Sequence, residues 1–218
     1  MKKLAIFDLD GTLLYTLEDL HASTNFALES EGLPARSLDE VRRFVGNGIR
    51  KLIERAVPDG CAPDVTDRVF AAFKRHYAEN CMVLTRPYPG IPEMLDALKA
   101  RGWQLGVVSN KADEPVKALI AHYFPGVFDS VVGERENVRK KPAPDSVFET
   151  VGSLGCDIGQ AVYIGDSDVD GQTAANAGCD CVLVSWGFRG RQTLEPFGCP
   201  IADSTGQPCK MIWCKNRH

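Results

Sequence analysis

The sequence predicts an α/β protein, a doubly wound parallel sheet interrupted early by an all-helical module. Three observations carry this prediction. Past Arg86, short apolar runs alternate with amphipathic helical segments, the pattern of parallel strands joined by helical crossovers. The one apolar run ahead of them, Leu4-Ala5-Ile6-Phe7, is continuous rather than alternating, as a strand buried on both faces requires. Residues 15–84, between the two, show helical periodicity alone.

Taken in order, Leu17, Leu20, Ala27 and Leu28 share one helical face, and Gly32-Leu33-Pro34 ends that helix. Ser37-Leu38-Asp39-Glu40 has the spacing of a capping box and starts a short helix with Val41, Phe44 and Val45 inside. Gly46-Asn47-Gly48 breaks it. Ile49, Leu52, Ile53 and Ala56 begin a third helix, and Val69, Phe70, Phe73 and Tyr77 mark a fourth. Four such helices suffice for a compact module. After Pro87-Tyr88-Pro89-Gly90, Met94, Leu95 and Leu98 define a helix ended by Gly102. Residues 105–108 read as a buried strand running into Ser109-Asn110-Lys111. Asp113 can cap a helix carrying Val116, Leu119, Ile120 and Tyr123, with Pro115 in its first turn. Then follow a strand at 128–132, a helix at 146–154, a strand at 161–165, a small-residue helix ended by Gly178, and a strand at 181–184. The expected organisation is a core of 1–14 and 85–203 with a helical cap of 15–84. Because every polar cluster follows a strand, and the helical module leaves the chain at the first of them, that module is expected to cover the ligand site. Residues 204–218 show neither period and read as an atypical, poorly ordered tail.

Composition narrows the function. Hydrophobic residues at 44% and charged residues at 25% describe an ordinary globular chain, and a net charge of −4 argues against nucleic-acid or acidic-membrane partners. Lys2 and Lys3 precede an apolar run that stops at Asp8, too short for a signal peptide, and no segment approaches membrane-spanning length. A cytoplasmic protein is expected, as a monomer or homodimer. Its eight cysteines are expected to be reduced. Cys179 with Cys181, and Cys209 with Cys214 and His218, match no common zinc spacing.

The chemistry gathers where strands end. Asp8 and Asp10, two apart on an extended chain, point to one side and repel unless a cation lies between them. Oxygen ligands favour a hard divalent ion, Mg2+ first. Asp10-Gly11 is also a common turn dipeptide, and these residues alone leave the choice open. Three further clusters follow successive strands: Ser109-Asn110, Lys141-Pro142, and Gly165-Asp166-Ser167-Asp168-Val169-Asp170. Singly each has an ordinary reading, as a loop start, a solvated basic turn or a helix cap. Their joint occurrence at successive strand ends does not.

In that order and spacing, the four clusters resemble the haloacid dehalogenase superfamily, and most closely its phosphoglycolate phosphatase-like branch, over roughly residues 2–203. The resemblance implies a Rossmann-like core with a helical cap inserted after the first strand, and places the strand at 161–165 beside the first. It implies a Mg2+-dependent phosphatase acting through an aspartyl-phosphate. Asp8 is then the nucleophile and Asp10 the acid and base. Mg2+ lies on the Asp8 carboxylate, the Asp10 carbonyl and Asp166. Thr12, Ser109 and the Asn110 backbone donate to the phosphate, Lys141 supplies a fixed cation, and Asp170 orients Lys141 or a metal-bound water. One departure stands out: the family commonly carries an acid or amide three positions after the motif threonine, where this chain has Tyr15.

The partner is then a small phosphate ester, with 2-phosphoglycolate as the leading substrate. Pyrophosphate hydrolysis and sugar-phosphate hydrolysis or mutase activity are alternatives within the same chemistry. In Gly46-Asn47-Gly48-Ile49-Arg50-Lys51, Arg50 or Lys51 could meet a substrate carboxylate; the plainer and preferred reading is a helix start with exposed basic residues. His21 and His76 read as packing or surface residues. From other classes, a signalling module phosphorylated on aspartate lacks such a helical insertion, and an inactive phosphate-ligand binder would not need both Asp8 and Asp10.

Overall fold

Leu4, Ala5, Ile6 and Phe7 are each fully buried, which explains the unbroken apolar run: they form a strand in the middle of a sheet. Full burial of each large side chain there stabilises the fold by roughly 1.5–3 kcal/mol. The computed structural model describes residues 3–215. The chain divides into two compact units, one of Tyr15–Arg86 and one built from the chain on either side of it. In chain order the elements are β1 (Lys3–Phe7), β2 (Leu14–Tyr15), α1 (Leu17–Glu29), α2 (Leu38–Phe44), α3 (Ile49–Ala56), α4 (Pro63–Asn80), β3 (Arg86–Pro87), α5 (Ile91–Lys99), β4 (Trp103–Ala112) and α6 (Asp113–Tyr123). They continue with β5 (Ser130–Glu134), α7 (Asp145–Ser153), β6 (Ala161–Gly165), α8 (Asp168–Ala177), β7 (Asp180–Val184), α9 (Arg191–Leu194), β8 (Ile201–Ala202) and α10 (Gln207–Lys215).

The main sheet has the order β5-β4-β1-β6-β7-β8, and the strands pair in parallel. Strand order runs outward from β1 through β4 to β5 on one side, then resumes at β6 on the other. The reversal therefore falls between β1 and β6, the place where such sheets bind ligands. This is the predicted doubly wound α/β fold, with β6 beside β1 as the resemblance implied. Among the described residues, no helix is long and apolar enough to cross a membrane.

The helical unit is built from α1 to α4. Leu17, Leu20, Ala27 and Leu28 of α1 are buried, as are Val69, Phe73 and Tyr77 of α4, whose Phe73 and Tyr77 rings stack. Ser37 and Glu40 form the predicted capping box on α2, a device worth about 1 kcal/mol. Asp19 is 2% exposed and accepts hydrogen bonds from the Leu84 and Thr85 amides at 2.9 Å each, tying the end of the unit to its first helix. His21 and His76 bond to the Arg36 carbonyl and the Ser23 hydroxyl, in keeping with packing roles.

Several elements differ from the sequence-based expectation. The strand expected at 105–108 extends to Ala112, so Ser109, Asn110 and Lys111 lie within it; its register against β5 shifts between Val108 and Ala112. Helix α8 is capped by Ser167 rather than by an aspartate, with Asp170 as the reciprocal member of the box. The segment expected to be a tail without period, 204–218, forms helix α10, and β8 lies just ahead of it. Pro208 and Cys209 are buried there, and the Cys209 thiol points to the Met94 carbonyl of α5. The Cys214 and His218 side chains lie outside the described residues.

Candidate active site

The strand ends assemble a buried acidic cluster in the sheet unit. Asp8 follows β1 directly, and Asp166 follows β6; because β1 and β6 are adjacent, their ends lie side by side. Carboxylate oxygens of Asp8, Asp166 and Asp170 all lie within 4.8 Å of one another. Lys141 stands among them: its Nζ is 2.9 Å from Asp8 Oδ1, 2.8 Å from Asp170 Oδ1 and 3.1 Å from the Tyr163 hydroxyl. Tyr163 in turn donates to the Val108 carbonyl at 3.0 Å, so the lysine head is held on three sides.

Asn110 explains how a loop residue is fixed so well. Its side-chain oxygen accepts from the Lys141 amide at 2.8 Å, and its side-chain NH2 donates to the Lys141 carbonyl at 3.1 Å. The Lys141–Pro142 peptide is cis. Asn110 thus clamps the Lys141 backbone as a paired amide would. Ser109 is buried, and its hydroxyl accepts from the Lys111 amide at 3.3 Å.

Asp166 is oriented from the loop after β7. The Phe188 amide donates to its Oδ2 at 2.6 Å, and Thr12, fully buried, donates to its Oδ1 at 3.3 Å. Thr12 was expected to donate to a phosphate; here its buried hydroxyl faces Asp166. The Trp186 indole N–H holds the Thr12 carbonyl at 3.1 Å. Gly11, at φ +84°, and Gly187 both press on Asp166: a Cβ at either would overlap its carboxylate. Asp170 has both oxygens engaged, Oδ1 by Lys141 and Oδ2 by the Ser167 amide at 3.0 Å and hydroxyl at 2.6 Å.

Electrostatics follow from burial. Burial lifts the Asp8 carboxyl to about 7 against the pull of Lys141, with Asp170 adding to the rise. Burial likewise lifts Asp166 well above the usual carboxylate range, and the charges of Asp170 and Asp8 add to it. Burial alone would weaken the Lys141 ammonium, but Asp170 and then Asp8 hold it charged well above its ordinary value. The site is short of positive charge.

Asp10 is 16% exposed at its side chain and pairs with Lys111 rather than joining the three-acid cluster. Arg50 belongs to the helical unit, where it is ion-paired to Glu54 and Asp67 on an exposed face. Tyr15, the departure from the family pattern, has the Arg86 guanidinium 4.6 Å from its ring centre. Sequence reasoning missed Lys111, Tyr163 and the Trp186-Gly187-Phe188 loop. The signal for the loop was present, since it follows the end of β7 as Asp8 follows β1 and Asp166 follows β6.

The cysteines do not compete with this site. No disulfide joins those described, and burial pushes the Cys179 thiol up to about 11. Contact with the Cys199 thiol, then burial, raises Cys181 further. Such groups behave as structural thiols.

A doubly wound sheet that gathers carboxylates and buried lysines at its switch point is an enzyme scaffold for an anionic group. Residues 5–184 match the haloacid dehalogenase-like hydrolase family. A phosphoglycolate phosphatase of Aquifex aeolicus is 36% identical over 187 residues, 85% of this chain and 86% of the relative. One from Rhodospirillum rubrum is 37% identical over 208 residues, 91% and 85%. A crystal structure from Lactobacillus delbrueckii subsp. bulgaricus, described as a provisional phosphoglycolate phosphatase, superposes with a TM-score of 0.92 at 36% identity, over 97% of this chain and 99% of that one. CbbY of Rhodobacter sphaeroides, solved with xylulose-1,5-bisphosphate, gives a TM-score of 0.75 at 25% identity over 95% and 96%. The chain belongs to the haloacid dehalogenase-like hydrolase family and stands with its phosphoglycolate phosphatase-like branch.

Proposed function

We propose that this protein is a Mg2+-dependent phosphatase that hydrolyses a small phosphate monoester, 2-phosphoglycolate first, through a phosphoryl group carried on Asp8. The observation that supports it most is the position of Asp8, at the carboxyl end of β1 with the Lys141 ammonium at 2.9 Å. A carboxylate nucleophile divides a very slow displacement into two easier ones.

The donor set fits a hard cation. Asp8 and Asp166 supply oxygens in a buried, charge-short cluster, and Asp170 is held by the Lys141 ammonium on one oxygen and by Ser167 on the other. We assign the ion to the Asp8 carboxylate, the Asp10 carbonyl and Asp166, and Asp170 to the orientation of Lys141. Bound there, Mg2+ would supply positive charge against the phosphate oxygens. In the first step an Asp8 oxygen bonds to phosphorus, the ester P–O bond breaks, and Asp10 gives its proton to the leaving oxygen. In the second, Asp10 takes a proton from water as the water oxygen attacks phosphorus and the Asp8–phosphate bond breaks. Lys141 offsets charge on the nucleophile, and Ser109 with the Asn110 backbone donates to the phosphate oxygens. Thr12 acts by orienting Asp166.

We assign substrate choice to the helical unit and keep the reaction in the cytoplasm. A second reading, a sugar bisphosphate as substrate, is favoured by the likeness to CbbY. A hydrolysis panel of 2-phosphoglycolate, pyrophosphate and sugar mono- and bisphosphates, with Mg2+ and with EDTA, separates these. The expected result is Mg2+-dependent release of phosphate fastest from 2-phosphoglycolate. Equal rates on all substrates remove that assignment, and undiminished rates in EDTA remove the metal.

Gly187→Ala gives a further check on the metal assignment. Its methyl group overlaps both the Asp166 side chain and the Gly11 carbonyl, so half-maximal activity should require at least about tenfold more Mg2+, the usual size of an effect on a ligand's support. An unchanged Mg2+ titration counts against Asp166 as a ligand.

A further inference from the structure

Lys111 is absent from the scheme above, yet its side chain is only 2% exposed and its Nζ lies 3.0 and 3.2 Å from the two oxygens of Asp10. We propose that Lys111 is a positioning residue for Asp10, fixing the carboxylate that exchanges a proton with the leaving group and the water. This rests on the phosphatase reading of the site.

Three features support the assignment. The register of β4 against β5 shifts between Val108 and Ala112, and a break in register re-aims the side chains that follow it, as bulges do beside active sites. It lets consecutive residues take different tasks: Asn110 turns to the Lys141 loop, and Lys111 turns to Asp10. Asp10 sits in a turn after β1, where its backbone bridges to Leu14 and Gly11 takes a left-handed conformation, so the local chain leaves the carboxylate's direction to an outside partner. A lysine that reaches both oxygens sets that direction. Finally, the two lysines divide the acids between them. Lys141 serves Asp8 and Asp170, and Lys111 serves Asp10, so the nucleophile and the acid/base are held by separate cations.

A positioning role predicts a loss that depends on the leaving group. An alkoxide needs a well-placed acid; a nitrophenolate leaves without one. In rapid-quench single-turnover experiments, Lys111→Met should slow phosphorylation of the enzyme by 2-phosphoglycolate by about 10- to 100-fold, within the range of acid–base catalysis. Phosphorylation by p-nitrophenyl phosphate should slow by no more than about threefold, and the inhibition constant of inorganic phosphate should hold within a similar factor. Lys111→Arg should recover most of the alkyl-ester rate, because it restores two donors to one carboxylate. Equal losses on both esters overturn the proposal in favour of a general structural role. Weakened phosphate inhibition with an unchanged ratio of the two rates overturns it in favour of phosphate binding. If Lys111→Met does not fold, Lys111→Gln carries the same comparison. Failure of the phosphatase reading looks different: wild-type enzyme then forms no phosphoenzyme with either ester.

Discussion

Asp8→Asn lowers turnover of every phosphate ester by at least about 10⁴-fold while the protein still folds. The amide has the shape of the carboxylate but cannot form and release an acyl phosphate, so the loss does not depend on the leaving group. The same substitution reads out the electrostatics. In EDTA, burial lifts the folded-state Asp8 to about 7, whereas an unfolded aspartate titrates near ~3.9. Between those values the folded chain holds a proton that the unfolded chain has released. Stability therefore falls as pH rises through that window, and the penalty persists above it. An asparagine carries no such penalty. The melting temperature of Asp8→Asn relative to wild type should rise from pH 4 to pH 7 and then level off. A divalent cation works in the opposite sense, because it favours the ionised carboxylate, so Mg2+ should stabilise wild type more at pH 8 than at pH 5. Retained turnover sinks the nucleophile assignment, and a pH-independent difference in melting sinks the electrostatic one.

The parts of this design that the sequence revealed are those that depend on short-range pattern. An unbroken run such as Leu4 to Phe7 reports burial on both faces, and Ser37 with Glu40 reports a helix start; both need only neighbouring residues to be understood. The acids were legible for a related reason. A charged residue directly after a buried strand has few explanations, and Asp8 after β1 and Asp166 after β6 reinforce each other. The contacts of Thr12 and Lys111 were not legible because their partners, Asp166 and Asp10, lie far along the chain. The Trp186-Gly187-Phe188 loop acts through the Phe188 amide and the Trp186 indole N–H, and a backbone amide carries no signature in sequence. Helix α10 was missed because Gly206 and Pro208 near its start weaken a periodicity that tertiary contact with α5 restores.

Lys141→Met should be the most destabilising single change in the site. The Lys141 side chain is 3% exposed and its ammonium satisfies Asp8, Asp170 and Tyr163 together, so its removal leaves two carboxyl groups without their shared cation. Breaking a buried pair on one side costs about 3–5 kcal/mol, because the partner's charge stays buried and unpaired. The sign of the pH dependence follows from the same contacts. Asp170, then Asp8, hold the folded-state lysine charged well above its ordinary value, so its contribution is fully present across the neutral range and fades only in strong alkali. Its absence, however, matters only while the acids are ionised. At pH 5, Asp8 is protonated with or without the lysine; at pH 8 the wild type ionises Asp8 beside Lys141, whereas the variant, without that pull, must keep the proton or bury an unpaired charge. Urea unfolding in EDTA should therefore show a larger loss at pH 8 than at pH 5. In Lys141→Met/Asp170→Asn, where one of the stranded charges is gone, part of that loss should be recovered. Equal losses at both pH values, with no recovery in the double variant, would mean that Lys141 stabilises the fold by filling space rather than by balancing charge. Activity distinguishes the two accounts as well. A charge-balancing lysine removed from beside the nucleophile should cost about 10²–10³-fold in kcat, even at pH values where the variant remains fully folded.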